Sequence, residues 1–319
     1  MASGTVTLTG ANGSAGLHAA EHLLKSYPQF TAIFTVRNAS SADPNTNTLR
    51  EVISRYPDSR ASVQEVDNAN LAAVHEFADT ISAAIAAGQY PPLKSIICNA
   101  SYWNLVTDPE LTVDGYEKTI QNGHIAHVAL VLRLVDSFAP DGGRIVLVSS
   151  VGHYRVKTHM SPFLPEIPDD IDQLIRPAPD TDKKGRGFQR YSTTKLIDSR
   201  FKNITVVTIN PGGIGDSRCF HTNTPGFLRL QAVVVKRLIP VVNWLFDPTF
   251  RSAAEAGVDL VDLAVDKAHP GERGYFTLLK KDKSDPLTLD EATQKKLWKK
   301  SAEWAKITKD NTALKFSWE

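Results

Sequence analysis

The sequence predicts an α/β fold in which one doubly wound parallel sheet carries helices on both faces, with a lid region towards the C-terminus. Three observations lead there. Short β-branched runs alternate with longer stretches of helical periodicity, and several of those runs are apolar without a break, as strands covered on both faces are. A glycine-rich turn follows the first run directly.

Thr5 to Thr9 opens the chain as a strand, and Ser14 to Ser26 follows as a helix. Next come a strand at Phe30 to Arg37, a helix near Thr46 to Tyr56, a strand at Ser62 to Asp67 and a helix over Leu71 to Ala87. The run LKSIIC is a buried strand, Gly115 to Ser137 a long helix, and RIVLVSS a further buried strand ending at Ser150. Residues 151–190 are rich in Pro, Asp and Lys and poor in hydrophobic periodicity, so they read as an insertion that shapes a substrate mouth. A short helix from Tyr191, the strand ITVVTIN, a Pro-Gly turn and a lid over residues 214–250 follow. A helix near Arg251 to Val265, a strand at Gly274 to Leu279 and a terminal helix complete the series. Without internal repeats or linkers, residues 1–319 read as a single domain.

With 42% hydrophobic residues, the 319-residue chain has material for one large core. Its 36 basic and 35 acidic residues leave a charge of +1 without sustained basic runs, which argues against a nucleic-acid partner. Cys98 in an apolar run and Cys219 in a loop-like stretch make neither a disulfide framework nor a metal cluster, and they point to a reducing, cytoplasmic compartment. The start MASGTVTLTG has no basic region followed by a long apolar core and reads as a strand rather than a signal peptide. The apolar stretch from Leu228 to Phe246 is broken by Lys236, Arg237 and Pro240, so an amphipathic lid helix is expected there and a transmembrane segment is not. Its wide apolar face with flanking cations leaves room for interfacial membrane contact.

In TGANGSAG, Gly10, Gly13 and Gly16 stand where a strand hands over to a helix. Small residues there let backbone N–H groups approach a dinucleotide pyrophosphate at the positive helix end, which makes Thr9, Asn12, Ser14 and Ala15 candidates with the glycines. A purely structural turn is the alternative. The second strand ends in Arg37-Asn38 with no carboxylate, so NADP(H) is favoured over NAD(H) by charge complementarity. Asp67 either contacts the adenine or is an ordinary turn carboxylate.

Hydride transfer to a carbonyl requires a proton donor, and a tyrosine serves near neutral pH when a cation lowers its pKa. Tyr191 and Lys195, at i and i+4, project from one helix face. Tyr90 and Lys94 have the same spacing, but Pro91 and Pro92 lie between them and forbid a helix. Ser150, at the carboxyl end of a parallel strand, can hold a substrate oxygen or simply cap a turn.

As an ordered set these motifs resemble the short-chain dehydrogenase/reductase family, with its Rossmann-type sheet, and in particular its carbonyl reductase, retinol dehydrogenase and WW-domain oxidoreductase-like branch. The resemblance spans nearly the whole chain: TGANGSAG, Asn99-Ala100-Ser101, the Thr112 to Glu117 segment, Ser149-Ser150, YSTTK from Tyr191 to Lys195, and Pro211-Gly212. It implies Ser150, Tyr191 and Lys195 as catalytic residues. It also implies a cofactor site that adds Asn68, Asn99, Ala100, Pro211, Gly212 and Gly213 to the glycine turn, Arg37, Asn38 and Asp67, with Tyr191 and Lys195 reaching the cofactor ribose.

The sequence departs from the family pattern in three places. Ser14 stands where the usual turn has glycine. Gly123 occupies the position of a catalytic asparagine, with Asn122 one residue early, a rotation of about 100° on a helix that only a local distortion such as a π-bulge would correct. The stretch from Tyr191 to Ile204 leaves a helix two or three turns shorter than usual, and this favours a monomer over a homodimer. The leading expectation is an NADP(H)-dependent carbonyl reductase or secondary-alcohol dehydrogenase for a fairly apolar small molecule. The alternative, motivated by Gly123, is a cofactor-binding relative without redox turnover: a sensor, a scaffold or a non-redox cyclase.

Overall fold

The computed structural model describes residues 3–157, 162–196, 204–245 and 247–314. Its frame is one eight-stranded sheet in the order β3-β2-β1-β4-β5-β6-β7-β8. The strands are β1 Thr5–Thr9, β2 Thr31–Val36, β3 Arg60–Glu65, β4 Leu93–Cys98, β5 Gly143–Val148, β6 Ile204–Asn210, β7 Gly274–Thr277 and β8 Lys280–Asp282. All neighbours run parallel except β8, which folds back antiparallel on β7. The winding reverses between β1 and β4, and that is where a sheet of this kind opens a crevice at its carboxyl edge.

The apolar strands feed two cores, one on each face, because successive side chains alternate across the pleat. Ile33, Ile96, Ile145 and Val206 point to the face covered by α3 (Leu71–Ala86) and α5 (Ala126–Leu134), the latter preceded by α4 (Lys118–Ile120) and a π-helical turn over Gln121–Ile125. Phe34, Ile97, Val146 and Val207 point to the other, beneath α1 (Ser14–Ser26). Beside α1 on that face lie α2 (Pro44–Ser54) and α9 (Ala253–Ala264). The remaining helices are α6 (Lys183–Leu196), α7 (Gly226–Arg237), α8 (Ile239–Leu245) and α10 (Glu291–Trp304), whose Leu297 and Trp304 join the first core. Among the described residues no helix is long and apolar enough to cross a membrane, and no group of His, Cys, Asp and Glu is placed to hold a metal ion.

Local chemistry sets the helix starts. Asp43 caps α2 through the Thr46 N–H with Pro44 in the first turn, Asn70 caps α3, and Ser252 with Glu255 closes a capping box on α9. The Arg144 guanidinium, at one end of β5, is fully buried. It donates to the carbonyls of Leu263, Ala268, His269 and Glu272 and pairs with Asp266 at 2.6 Å, tying the exit of α9 to the sheet.

Four expectations are corrected. The helix bearing Tyr191 begins at Lys183, within the expected insertion, because Asp182 Oδ1 caps it by accepting the Gly185 N–H at 3.0 Å. Gly187 lets it lie on the Asn104 carbonyl, 2.0 Å from where a Cβ would stand, and these glycines weaken the helical signal. The end of the segment expected to form that helix, residues 197–203, lies outside the described residues. The lid is two helices rather than one, parted at Leu238, with Pro240 in the first turn of the second, where its missing N–H is tolerated. The third strand lies two residues early, at Arg60–Glu65, and β8 was not anticipated, its lysines giving no apolar run.

α1 and α9 cross so closely that a Cβ on Gly257 would stand 2.6 Å from the Ala19 nitrogen and 2.8 Å from the His18 carbonyl carbon. Gly257→Leu is expected to lower the unfolding free energy by about 1–3 kcal/mol, the usual effect of overpacking, as measured by urea denaturation followed by circular dichroism.

Candidate functional site

At the carboxyl edge, the ends of β1 and β4 are tied together by a reciprocal contact. Thr9 Oγ1 accepts the N–H groups of Asn99 and Ala100 at 2.9 and 3.0 Å, while Asn99 Nδ2 donates to the carbonyls of Thr9 and Gly10 at 2.9 and 3.2 Å. The chain then turns through Gly10, at a φ of +64°, a conformation that a side chain disfavours. Gly16 lies against that turn, where a Cβ would stand 2.3 Å from the Gly10 carbonyl oxygen. Gly13 leads into α1 with no side-chain cap and no acidic residue in the first turn, so the free N–H groups and positive end of the helix face open space.

That space is a cavity of about 960 Å³. Gly10, Asn12, Gly13, Ser14 and Ala15 line it from the glycine turn, Arg37 and Asn38 from the end of β2, Asp67 and Asn68 from beyond β3, and Asn99 and Ala100 from beyond β4. Ser150, Tyr191, Lys195, Pro211, Gly212 and Gly213 line it from the other half of the sheet. Thr9 and Gly16 build the wall from behind and do not face the cavity. Asn12 Nδ2 donates to Thr46 Oγ1 at 2.9 Å, and that hydroxyl donates to the Asn38 carbonyl at 2.8 Å, which fixes the turn against the end of β2.

Pleat alternation distinguishes the paired serines after β5. Ser149 is buried and donates to the Lys195 carbonyl at 2.9 Å, while Ser150 faces the cavity. Ser150 also caps a 3-10 turn by accepting the Gly152 N–H at 3.2 Å, so the capping role and exposure to the cavity coexist. Burial raises the Tyr191 phenol to about 12, and a hydrogen bond with the Ser150 side chain pulls it the other way. Lys195, 8% exposed, donates to the Val148 carbonyl at 2.8 Å and lies 5.5 Å from the centre of the Tyr191 ring. Burial lowers its ammonium to about 8. The pair therefore meets a neutral solution as a protonated phenol beside a largely protonated amine.

The π-helical turn over Gln121–Ile125 supplies the distortion that the asparagine offset called for. Asn122 faces the main cavity, its side chain donating to the Lys118 carbonyl at 2.8 Å, and Gly123 lines a separate hollow of about 40 Å³ with Lys195 and His127. Burial lowers His127 to about 4, and its Nε2 lies 3.0 Å from Thr9 Oγ1.

Two features escaped sequence reasoning. Arg218, in a 3-10 turn of the lid region, donates its backbone N–H to Ser14 Oγ at 2.9 Å, and its guanidinium bonds the Asn12 carbonyl and Asn45 Oδ1. It lines the cavity beside Asn45, and no spacing rule links it to a turn some two hundred positions earlier. At the opposite end Trp103 meets Phe188, Tyr191 and Phe220 at ring separations of 6.4, 5.7 and 5.5 Å, an aromatic wall around the phenol. Trp103 Nε1 is anchored on the carbonyls of Cys219 and Thr222, so the wall and the lid are one unit.

The chain matches the family model for the AcuH dehydrogenase domain over residues 218–314. It is 24% identical to the short-chain dehydrogenase iccH of Talaromyces variabilis, with 99% of both chains covered. It is 41% identical to the dehydrogenase acuH of Aspergillus aculeatus over 29% of this chain and 94% of that one. Among solved structures it is similar to the blue fluorescent protein from a metagenomic library in complex with NADPH, at 20% identity and a TM-score of 0.56, covering 86% of this chain and 96% of that one. The chain belongs to the short-chain dehydrogenase/reductase family of oxidoreductases.

The lowered amine makes a direct prediction. In competitive labelling with acetic anhydride, Lys195 is expected to titrate at about 8, against about 10.4 for exposed lysines, with the acetylated peptides quantified by mass spectrometry across the pH range.

Proposed function

We propose that this chain is an NADP(H)-dependent carbonyl reductase acting on an apolar small molecule with a planar, aromatic-compatible body. The observation that carries the reading is one continuous cavity with a glycine turn and cations at one end and a phenol, hydroxyl and ammonium framed by aromatic rings at the other.

The residues present fit a dinucleotide. The Cβ-free approach at Gly10, Gly13 and Gly16 and the uncapped start of α1 suit a pyrophosphate, Asp67 and Asn68 suit an adenine, and Arg37 with Arg218 suits the charge of a 2′-phosphate. Pro211, Gly212 and Gly213 border the stretch between the glycine turn and Tyr191. When bound, the nicotinamide would supply the hydride that the protein itself lacks.

The chain's own groups handle the proton. Tyr191 Oη donates its hydrogen to the oxygen that gains charge as the carbonyl is reduced, and Ser150 Oγ orients that oxygen by hydrogen bonding. The Lys195 ammonium stabilises the phenolate left behind and, with its three donors, reaches a ribose hydroxyl. With its phenol at about 12, Tyr191 is protonated at neutral pH and so holds the hydrogen that the reduction needs. Trp103, Phe188 and Phe220 exclude water from the reacting end. Asn122 rather than Gly123 faces the main cavity, which supports the redox reading over a redox-silent one.

Titration with NADPH and NADH, followed by fluorescence of the reduced nicotinamide, is expected to show tighter NADPH binding; Arg37→Asp should reduce the NADPH advantage by about ten- to a hundredfold, the range for hydrogen bonds to a charged group. Equal affinities in the unaltered protein would remove the 2′-phosphate from the reading. Tyr191→Phe should keep cofactor affinity and lower turnover on an aryl ketone panel by about 10²-fold or more. The rate of NADPH-driven reduction should fall as pH rises through about 8, where Lys195 loses the proton that lets it stabilise the phenolate.

A further inference from the structure

The lid carries a surface that a water-soluble face does not need. In α7, Leu228 and Ala232 point inward and are buried, as one helical stripe should be. At 100° per residue the opposite side presents Phe227, Leu230, Val233 and Val234, and all four are exposed, Leu230 by 69%. α8 continues the patch with Leu245 and with Trp244, which is 81% exposed. Eight of the fifteen large apolar side chains exposed among the described residues fall between Phe227 and Leu245, on these two helices and the Leu238 junction. A helix that is apolar on both faces normally has both faces covered.

Charge indicates what covers it. The chain as a whole is nearly balanced, yet between Asp216 and Asp247 the sequence contains no Asp or Glu, while Arg218, Arg229, Lys236 and Arg237 are all cationic. The two bracketing carboxylates are engaged locally, Asp216 with the Ala253 N–H at 2.7 Å and Asp247 with Thr249. Arg218 is turned into the cavity, and Arg229, Lys236 and Arg237 remain exposed at the patch. A second copy docking by this face would set these cations against each other with no carboxylate opposite, since a two-fold interface brings the same patch to itself. An anionic lipid surface answers both demands: headgroups for the cations, an acyl boundary for the leucines and valines, and an interfacial setting for an exposed tryptophan.

We propose that α7 and α8 dock the protein peripherally on anionic membranes, with the apolar face in the headgroup and acyl boundary and Lys236 and Arg237 on the phosphates. The inference does not depend on the reaction assigned above. It places the aromatic end of the cavity beside a lipid phase, because Leu228 of α7 packs on the cluster containing Trp103.

The test is flotation of the full chain with phosphatidylcholine vesicles and with phosphatidylcholine–phosphatidylserine vesicles. Binding is expected to the serine-containing vesicles at about 0.1 M salt, with release at about 1 M, where charges are screened beyond a few ångströms. Lys236→Gln and Arg237→Gln should each weaken it about fivefold. Leu230→Ser with Trp244→Ser should weaken it further without moving the thermal midpoint, because both side chains already face solvent. The proposal is overturned by absence of flotation with either vesicle or by binding that these substitutions leave unchanged. It is equally overturned by light scattering that detects a dimer dissolved by the paired serine variant, which would assign the face to a second copy.

Discussion

The contact between Thr9 and Asn99 is the constraint on which the site rests. A parallel sheet wound in both directions must part its crossovers somewhere, and here the parting falls between β1 and β4. Left alone, two adjacent strand ends would leave backbone donors and acceptors bare in a crevice; the Thr9 hydroxyl and the Asn99 amide satisfy them instead. Because these groups are inward and fixed, Gly10 can turn sharply outward, Gly16 can close behind it, and α1 points its positive end into the opening. Even His127, on a helix beneath the sheet, is recruited to the same hydroxyl.

At the far end of the cavity the governing quantity is desolvation. Tyr191 and Lys195 move in opposite directions on burial, the phenol upward and the amine downward, and both shifts resist charge. Each therefore becomes more responsive to any charge that a ligand brings in. The aromatic wall lies against the phenol, and since Trp103 hangs on lid carbonyls, the lid and the surroundings of Tyr191 are mechanically joined.

Sequence reasoning reached most of the strands because their short apolar, β-branched runs are bounded by turn residues and separated by stretches of helical periodicity. Once strand ends are known, the residues just beyond them, from Arg37 to Pro211, are brought to one edge by topology, and this is why the candidate site could be assembled from motifs. The Gly123 offset was also legible as a problem whose remedy is a π turn, and that turn is present over Gln121–Ile125. What stayed hidden was set by tertiary contact. The first turns of α6 contain glycines whose helical state depends on the Asp182 cap and on the Asn104 carbonyl, neither of which has a periodic signature. Arg218 reaches the glycine turn across the fold, and the aromatic wall joins Trp103, Phe188 and Phe220 from three distant segments.

Arg144 has a consequence for how the chain is held together. Its guanidinium sits on a central strand, yet its hydrogen-bonding carbonyls and its ion-pair partner all lie between Leu263 and Glu272, more than a hundred positions later. That stretch supplies both the acceptors and the carboxylate that let the Arg144 cation be buried at the end of β5. The order of that late segment and the burial of the first residues of β5 are therefore coupled through a single side chain.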